Sequence, residues 1–298
     1  VPSASESLYA LVTAAARSIV VVGTAKNAGK TTVVNALRAV AMRRGVAHAL
    51  TSIGRDGEPS DALDDVAKPR VRLQPGTIIA LSAGVVPRTP GLVILETGER
   101  GALGATVFAR VVLPTVCEIA GPPTSRGMRA TIDRLCELAG GPIFIDGAID
   151  RIAPLAGGDD AVVLACGAAN GATIARVAAV AAETTARLQL PGRDPAHERA
   201  TVVHVEGALD ARDADALMAG DRDVTVVVDD PTRIAVRGAL LERLRAYVDL
   251  RCERPLRIVA CTVSPVGREG ALAPRELVAA VARATGLPTF DVLADLAA

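Results

Sequence analysis

Apolar positions along the chain follow two alternating rhythms. Some form short unbroken runs rich in β-branched residues; others return every three or four positions over longer stretches. Ser18-Ile-Val-Val-Val-Gly23 is of the first kind, and a continuous apolar run closed by glycine predicts a strand covered on both faces of a parallel sheet. From Gly29 to Arg44 the second rhythm takes over, with Val33, Val34, Leu37, Val40 and Ala41 at helical spacing. Arg43 and Arg44 suit the negative end of the helix dipole, and Gly45 supplies the stop. Val46 to Ile53 predicts a second strand, and Leu8 to Ala16 an amphipathic helix ahead of the first.

Between residues 56 and 123 the rhythm shortens. Extended runs at Thr77–Leu81, Leu92–Glu96, Thr106–Leu113 and Thr115–Ala120 are separated by Pro and Gly, which predicts inserted β-hairpins. A helix over Ser125–Ala139, strands at Pro142–Asp146 and Ala161–Ala165, and a helix from Ala169 to Leu188 follow. Gln189–Pro195 reads as a boundary. Beyond it, strands at Thr201–Val205, Val224–Val228 and Arg257–Cys261 alternate with helices at Asp210–Met218, Arg237–Val248 and Pro274–Ala284. The expectation is an α/β protein with a mainly parallel sheet and helices on both faces. Residues 1–190 form a first domain carrying the hairpins, and 191–298 a C-terminal α/β extension or lobe.

Composition narrows the partners. Half of the 298 residues are apolar, and 33 basic residues balance 33 acidic ones. There is no global field to draw in nucleic acid or an anionic membrane, and five aromatic residues offer few stacking platforms. No apolar run reaches spanning length. The five cysteines are widely spaced with no Cys-x-x-Cys, and His48, His197 and His204 lack ligand spacing, so a reducing cytoplasm is expected and no zinc site.

One segment carries specific chemistry. Gly23-Thr24-Ala25-Lys26-Asn27-Ala28-Gly29-Lys30-Thr31 fits G-x-x-x-x-G-K-[ST] between a buried strand and a helix start, where a phosphate-binding loop belongs. Such a loop turns backbone amides around an anion, adds the positive end of the helix dipole, and brings Lys30 to the β and γ phosphates. The Thr31 hydroxyl suits Mg²⁺, and Thr32 continues the first helical turn. The only lysines in an arginine-rich chain are Lys26, Lys30 and Lys68, so two of three stand in this loop, where a compact ammonium is called for. A P-loop nucleoside triphosphatase binding ATP with Mg²⁺ is the expected class.

Such a site needs a carboxylate at the end of a neighbouring strand. Asp146, closing Ile143-Phe-Ile-Asp146-Gly, is preferred; Asp56, just past the second strand, and Glu118, in Val116-Cys-Glu-Ile-Ala, are further candidates. Each also fits a carboxylate that caps a turn beside glycine.

Together, the loop, Thr51-Ser-Ile-Gly-Arg-Asp-Gly-Glu58, Lys68-Pro-Arg, Gly76-Thr-Ile-Ile-Ala, Glu118-Ile-Ala-Gly-Pro, Ile145-Asp-Gly-Ala-Ile-Asp-Arg151 and Cys166-Gly-Ala resemble the P-loop subunit of lysine 5,6-aminomutase reactivases. Val263-Ser-Pro and Leu287-Pro-Thr-Phe-Asp-Val292 match near the end. The resemblance implies an ATP-dependent protein that acts with a second reactivase subunit. Such a pair exchanges damaged cobalamin for intact adenosylcobalamin on a B12-dependent aminomutase. The loop also resembles that of dethiobiotin synthetase and MinD-type ATPases, in which nucleotide often sits at a homodimer interface. MinD-type loops place a lysine directly after the first glycine, whereas this chain has Thr24 there and Lys26 two positions later. Action of Lys26 across a dimer and contact with its own nucleotide both stay open. The alternative function is a dethiobiotin synthetase-like ligase or small-molecule kinase, with Arg55, Lys68 and Arg126 holding an acidic substrate.

Overall fold

The computed structural model describes residues 2–53, 71–101, 104–117, 125–148, 152–267 and 270–298. From its start the chain runs through α1 (Ala4–Ala15), β1 (Ser18–Gly23), α2 (Lys30–Arg43) and β2 (Ala49–Ser52). Five strands follow: β3 (Val71–Leu73), β4 (Ile78–Ser82), β5 (Leu92–Gly101), β6 (Gly104–Val111) and β7 (Thr115–Cys117). Alternation resumes with α3 (Ser125–Ala139), β8 (Ile143–Ala148), β9 (Ala161–Gly167) and α4 (Ile174–Leu188). Then come β10 (Thr201–Val205), α5 (Ala211–Ala219), β11 (Val224–Val228), α6 (Gly238–Tyr247) and β12 (Asp249–Cys252). The last part holds β13 (Arg257–Ser264), β14 (Val266–Gly267), β15 (Gly270–Ala271), α7 (Pro274–Thr285), β16 (Thr289–Asp291) and β17 (Leu296–Ala297).

Ten strands form one sheet in the order β17-β16-β13-β9-β1-β8-β2-β4-β6-β5. Neighbours from β16 to β4 are parallel; β17 at one edge and β6 and β5 at the other add in antiparallel fashion. The protein is therefore α/β with a large, mostly parallel sheet. All six residues of β1 are buried because the strand feeds two cores at once. Ile19 and Val21 pack with Leu8 and Val12 of α1 and Val34 and Leu37 of α2. On the other face Val20 and Val22 share a core with Ile132 and Leu135 of α3, Val177 and Ala181 of α4, and Leu277 and Val281 of α7. Each such aliphatic side chain taken out of water contributes about 1.5–3 kcal/mol.

Local signals account for most helix ends. Ser3 and Glu6 close a reciprocal capping box on α1, and Pro274 opens α7 while Gly286, at φ +70°, closes it. The helix expected from Ala169 begins instead at Ile174. The Asn170 side chain accepts from the Gly167 amide at 3.1 Å, and Gly171 turns the chain at φ +153° before Thr173 caps α4.

The hairpin region is partly absorbed into the sheet: β4 joins in parallel beside β2, and β6 and β5 extend it, while β3 and β7 pair separately. The stretch 191–298, expected either to extend the sheet or to form a smaller lobe, contributes to both. Residues 201–252 build a three-stranded parallel sheet, β10-β11-β12, over its own core of Val226, Leu241, Leu244 and Leu250. The chain then returns to the large sheet, where β13 pairs with β9 and carries β16 beside it. The strand β12 follows α6 with no intervening turn signal, and β16 is only three residues long, which is why periodicity alone leaves them out. Among the described residues no helix is long and apolar enough to cross a membrane.

His48 lies against Phe144 at 6.0 Å between ring centroids and is 4% exposed. Burial pushes its imidazole down to about 4. The unfolded chain then binds the extra proton between about pH 6.5 and 4, so stability falls as pH drops through that window and levels off below it. The expected loss is of the order of 3 kcal/mol. Urea midpoints at pH 7.5 and 5 check this: His48→Phe should show a smaller acid loss than the parent, and an equal loss would contradict it.

Candidate functional site

The loop that leaves β1 has its shape set by two glycines and by the strands on either side. A Cβ on Gly23 would lie 3.0 Å from the Ala25 carbonyl oxygen and 3.0 Å from Lys30 Cγ, so the bare backbone leaves room for the lysine stem. Asn27 stands at φ +64° and Gly29 at φ +94°, and a Cβ on Gly29 would also press to 3.2 Å from Ser264 Cβ. Thr24 is pinned on the β9 side: its amide donates to the Ala165 carbonyl at 2.9 Å, and its hydroxyl to Asn170 Oδ1 at 2.8 Å. Ala28 is buried, whereas Lys26 and Asn27 are exposed at the rim.

α2 starts directly behind this loop. Gly29 provides no side-chain cap, and the amides of Lys30, Thr31 and Thr32 donate to no acceptor among the described residues. A helix start left open in this way presents donors and partial positive charge to an anion. Lys30 and Thr31, both half-buried, are the first two residues of that turn.

Asp146 meets them from β8. The parallel register sets Val21 opposite Asp146 and Val22 opposite Gly147, and a Cβ on Gly147 would lie 3.0 Å from the methyls of Val20 and Val22. Glycine thus lets β8 run close against β1 at the residue after the carboxylate. Asp146 is 8% exposed, and its Oδ2 accepts from Thr31 Oγ1 at 3.1 Å. Because the hydroxyl proton is directed to the carboxylate, the lone pairs of Thr31 are free for a cation. An oxygen set of this kind, a hydroxyl and a carboxylate side by side, has the hard-donor chemistry that Mg²⁺ prefers.

Of the expected site residues, the structure brings together Gly23, Thr24, Gly29, Lys30, Thr31 and Asp146; Thr32 follows in the first turn of α2. Asp56, Glu118, Arg55 and Lys68 lie outside the described residues, and Arg126 falls in the first turn of α3. Asn170 and Ser264 were not foreseen as part of the constellation. Asn170 follows β9, the strand beside β1, and Ser264 ends β13, one strand further out; a polar residue closing an apolar run at this end of the sheet is the signal that could have found them. Among the described residues no group of three or more His, Cys, Asp or Glu side chains is arranged to hold a metal.

Gly29→Ala tests the loop conformation. A left-handed backbone and a close contact with Ser264 should together cost about 1–3 kcal/mol, seen as a lower urea midpoint. Undiminished stability would mean that the loop does not hold this conformation in solution. Comparison of the chain with protein-family models, with curated proteins and with solved structures found no match to any of the three.

Proposed function

We propose that the chain is a P-loop nucleoside triphosphatase that binds ATP with Mg²⁺ on residues 23–32. The observation that carries this reading is the 3.1 Å bond between Thr31 and Asp146, which joins the start of α2 to the end of β8 beside an uncapped helix turn. In this reading the amides of Lys30 to Thr32 receive phosphate oxygens, and Lys30 adds a full charge as negative charge shifts toward the leaving group. Thr31 and Asp146 hold Mg²⁺, which supplies charge neutralisation at the phosphates when bound. Thr24, tied to Ala165 and Asn170, keeps the far wall of the loop in place.

The resemblance of the sequence motifs extends the proposal. ATP use would drive exchange of cobalamin on a B12-dependent aminomutase, together with a second subunit. A nucleotide-switched grip on a protein partner predicts slow basal turnover that the partner accelerates.

Lys30→Ala is expected to lower the ATP hydrolysis rate by about 10² to 10³-fold, and Asp146→Asn to raise the Mg²⁺ concentration needed for half-maximal turnover. Steady-state phosphate release measures both. Turnover in Lys30→Ala equal to the parent would refute the site. Normal ATP turnover that no aminomutase or second subunit changes would instead refute only the coupled role.

A further inference from the structure

Ser264 closes β13, a strand that β9 separates from β1, yet it touches the loop that β1 feeds. Two strand spacings amount to about 10 Å, more than a serine side chain spans, so the loop and the end of β13 must converge over the end of β9. Glycine makes that approach possible. Gly167 stands opposite Ser264 in the register of β9 and β13, and a Cβ on it would lie 2.9 Å from the Ser264 carbonyl carbon. Further on, a Cβ on Gly267 would lie 2.8 Å from Ala168 Cβ and 3.0 Å from the Ala168 carbonyl carbon. At both points the chain leaving β13 closes onto the chain leaving β9 more tightly than any side chain would permit.

Side-chain direction completes the approach. Cys261 and Val263 face the core shared with α4 and α7, so Ser264, on the alternate row, faces the side of the sheet that carries α2. There it meets Gly29, the residue before α2: a Cβ on Gly29 would lie 3.2 Å from Ser264 Cβ and 3.8 Å from its Oγ. The Ser264 side chain makes no hydrogen bond among the described residues, so what it offers the loop is bulk at its Cβ. Gly29 stands at φ +94° without a side-chain cap. A glycine adopts either hand at little cost, so its conformation has to be fixed from outside the helix.

We infer that Ser264 is a positioning residue for the phosphate loop: its Cβ backs Gly29 and holds it in the left-handed conformation from which α2 starts with its first amides open. Thr24 is held from the chain after β9 and Gly29 from the end of β13, so the loop is braced at both of its ends from the same side of β1. A residue fixed by its surroundings loses little freedom when an anion arrives, so the brace shows itself as affinity. That consequence rests on the reading of residues 23–32 as a nucleotide site, whereas the brace itself does not.

Two measurements on the full chain test the assignment. In the first, Gly29→Ala is introduced into the parent and into Ser264→Gly, and urea midpoints are compared. The alanine methyl meets the Ser264 Cβ only in the parent, so the drop in midpoint is expected to be smaller in the Ser264→Gly background. Equal drops would overturn the brace. In the second, MgADP binding is measured by titration calorimetry. Ser264→Val, which adds bulk against Gly29, is expected to raise the dissociation constant tenfold or more while the urea midpoint of the unliganded chain stays at the parent value. Ser264→Gly should also bind more weakly than the parent, and Ser264→Ala, which restores the Cβ, more tightly than Ser264→Gly. Parent-like affinity in Ser264→Val, a loss there matched by a lowered midpoint, or no recovery in Ser264→Ala would each overturn the positioning role. A parent chain that binds no MgADP would overturn the nucleotide reading instead, and the urea comparison would still decide the brace.

Discussion

A strand buried on both faces with parallel neighbours on both sides can hardly move, and everything at the end of β1 inherits that rigidity. The Thr31 to Asp146 hydrogen bond is where the constraint becomes chemistry. It spans from the first turn of α2 to the strand paired with β1, so it ties two elements whose backbones are held by a two-sided core. Thr24 repeats the arrangement on the opposite flank, through Ala165 and Asn170 of the chain leaving β9. A loop clamped from both neighbouring strands holds its amides in place before any ligand arrives, which is the condition under which electrostatic stabilisation costs no reorganisation.

Much of this was legible in the residues. Ser18–Gly23 declares a doubly covered strand because no polar side chain interrupts it, and Lys30 and Thr31 declare the helix start because the motif fixes their offset from Gly23. Asp146 was legible for the same reason: a hydrophobic run with a carboxylate at its end and glycine after it. The neighbours across the sheet were not. Nothing in the local pattern says that β8 and β9, rather than β2, flank β1, since strand order depends on which faces the connecting helices cover. Asn170 was hidden by helical spacing from Ala169 onward, which continues unbroken although the side chain turns back to Gly167 and Thr24. The C-terminal region misled in another way: its even βα alternation reads as one unit, yet β13 pairs with β9 while β10 to β12 pair among themselves.

The small sheet repeats on its own scale the logic of the large one. In both, parallel strands end together, and what lies beyond their ends is polar and close-set while the strands themselves are apolar. The difference lies in charge. Beside the loop after β1 stand an open helix turn and a lysine, suited to an anion; past β10 to β12 stand acids, several of them gripped by arginines. One chain thus presents two strand-end surroundings of different electrostatic character, and α4 hydrogen-bonds to the chain around the smaller sheet.

The partners of residues 18–23 lie at 143–148 and 161–165, so the middle of the large sheet cannot close until the chain through residue 165 has left the ribosome. Until then Ile-Val-Val-Val stands as a bare, sticky ribbon, long-range pairing being the slow step for topologies of this kind. Early closure of α1 and α2 over one side of that ribbon, both local in sequence, gives the nascent chain partial shelter while it waits.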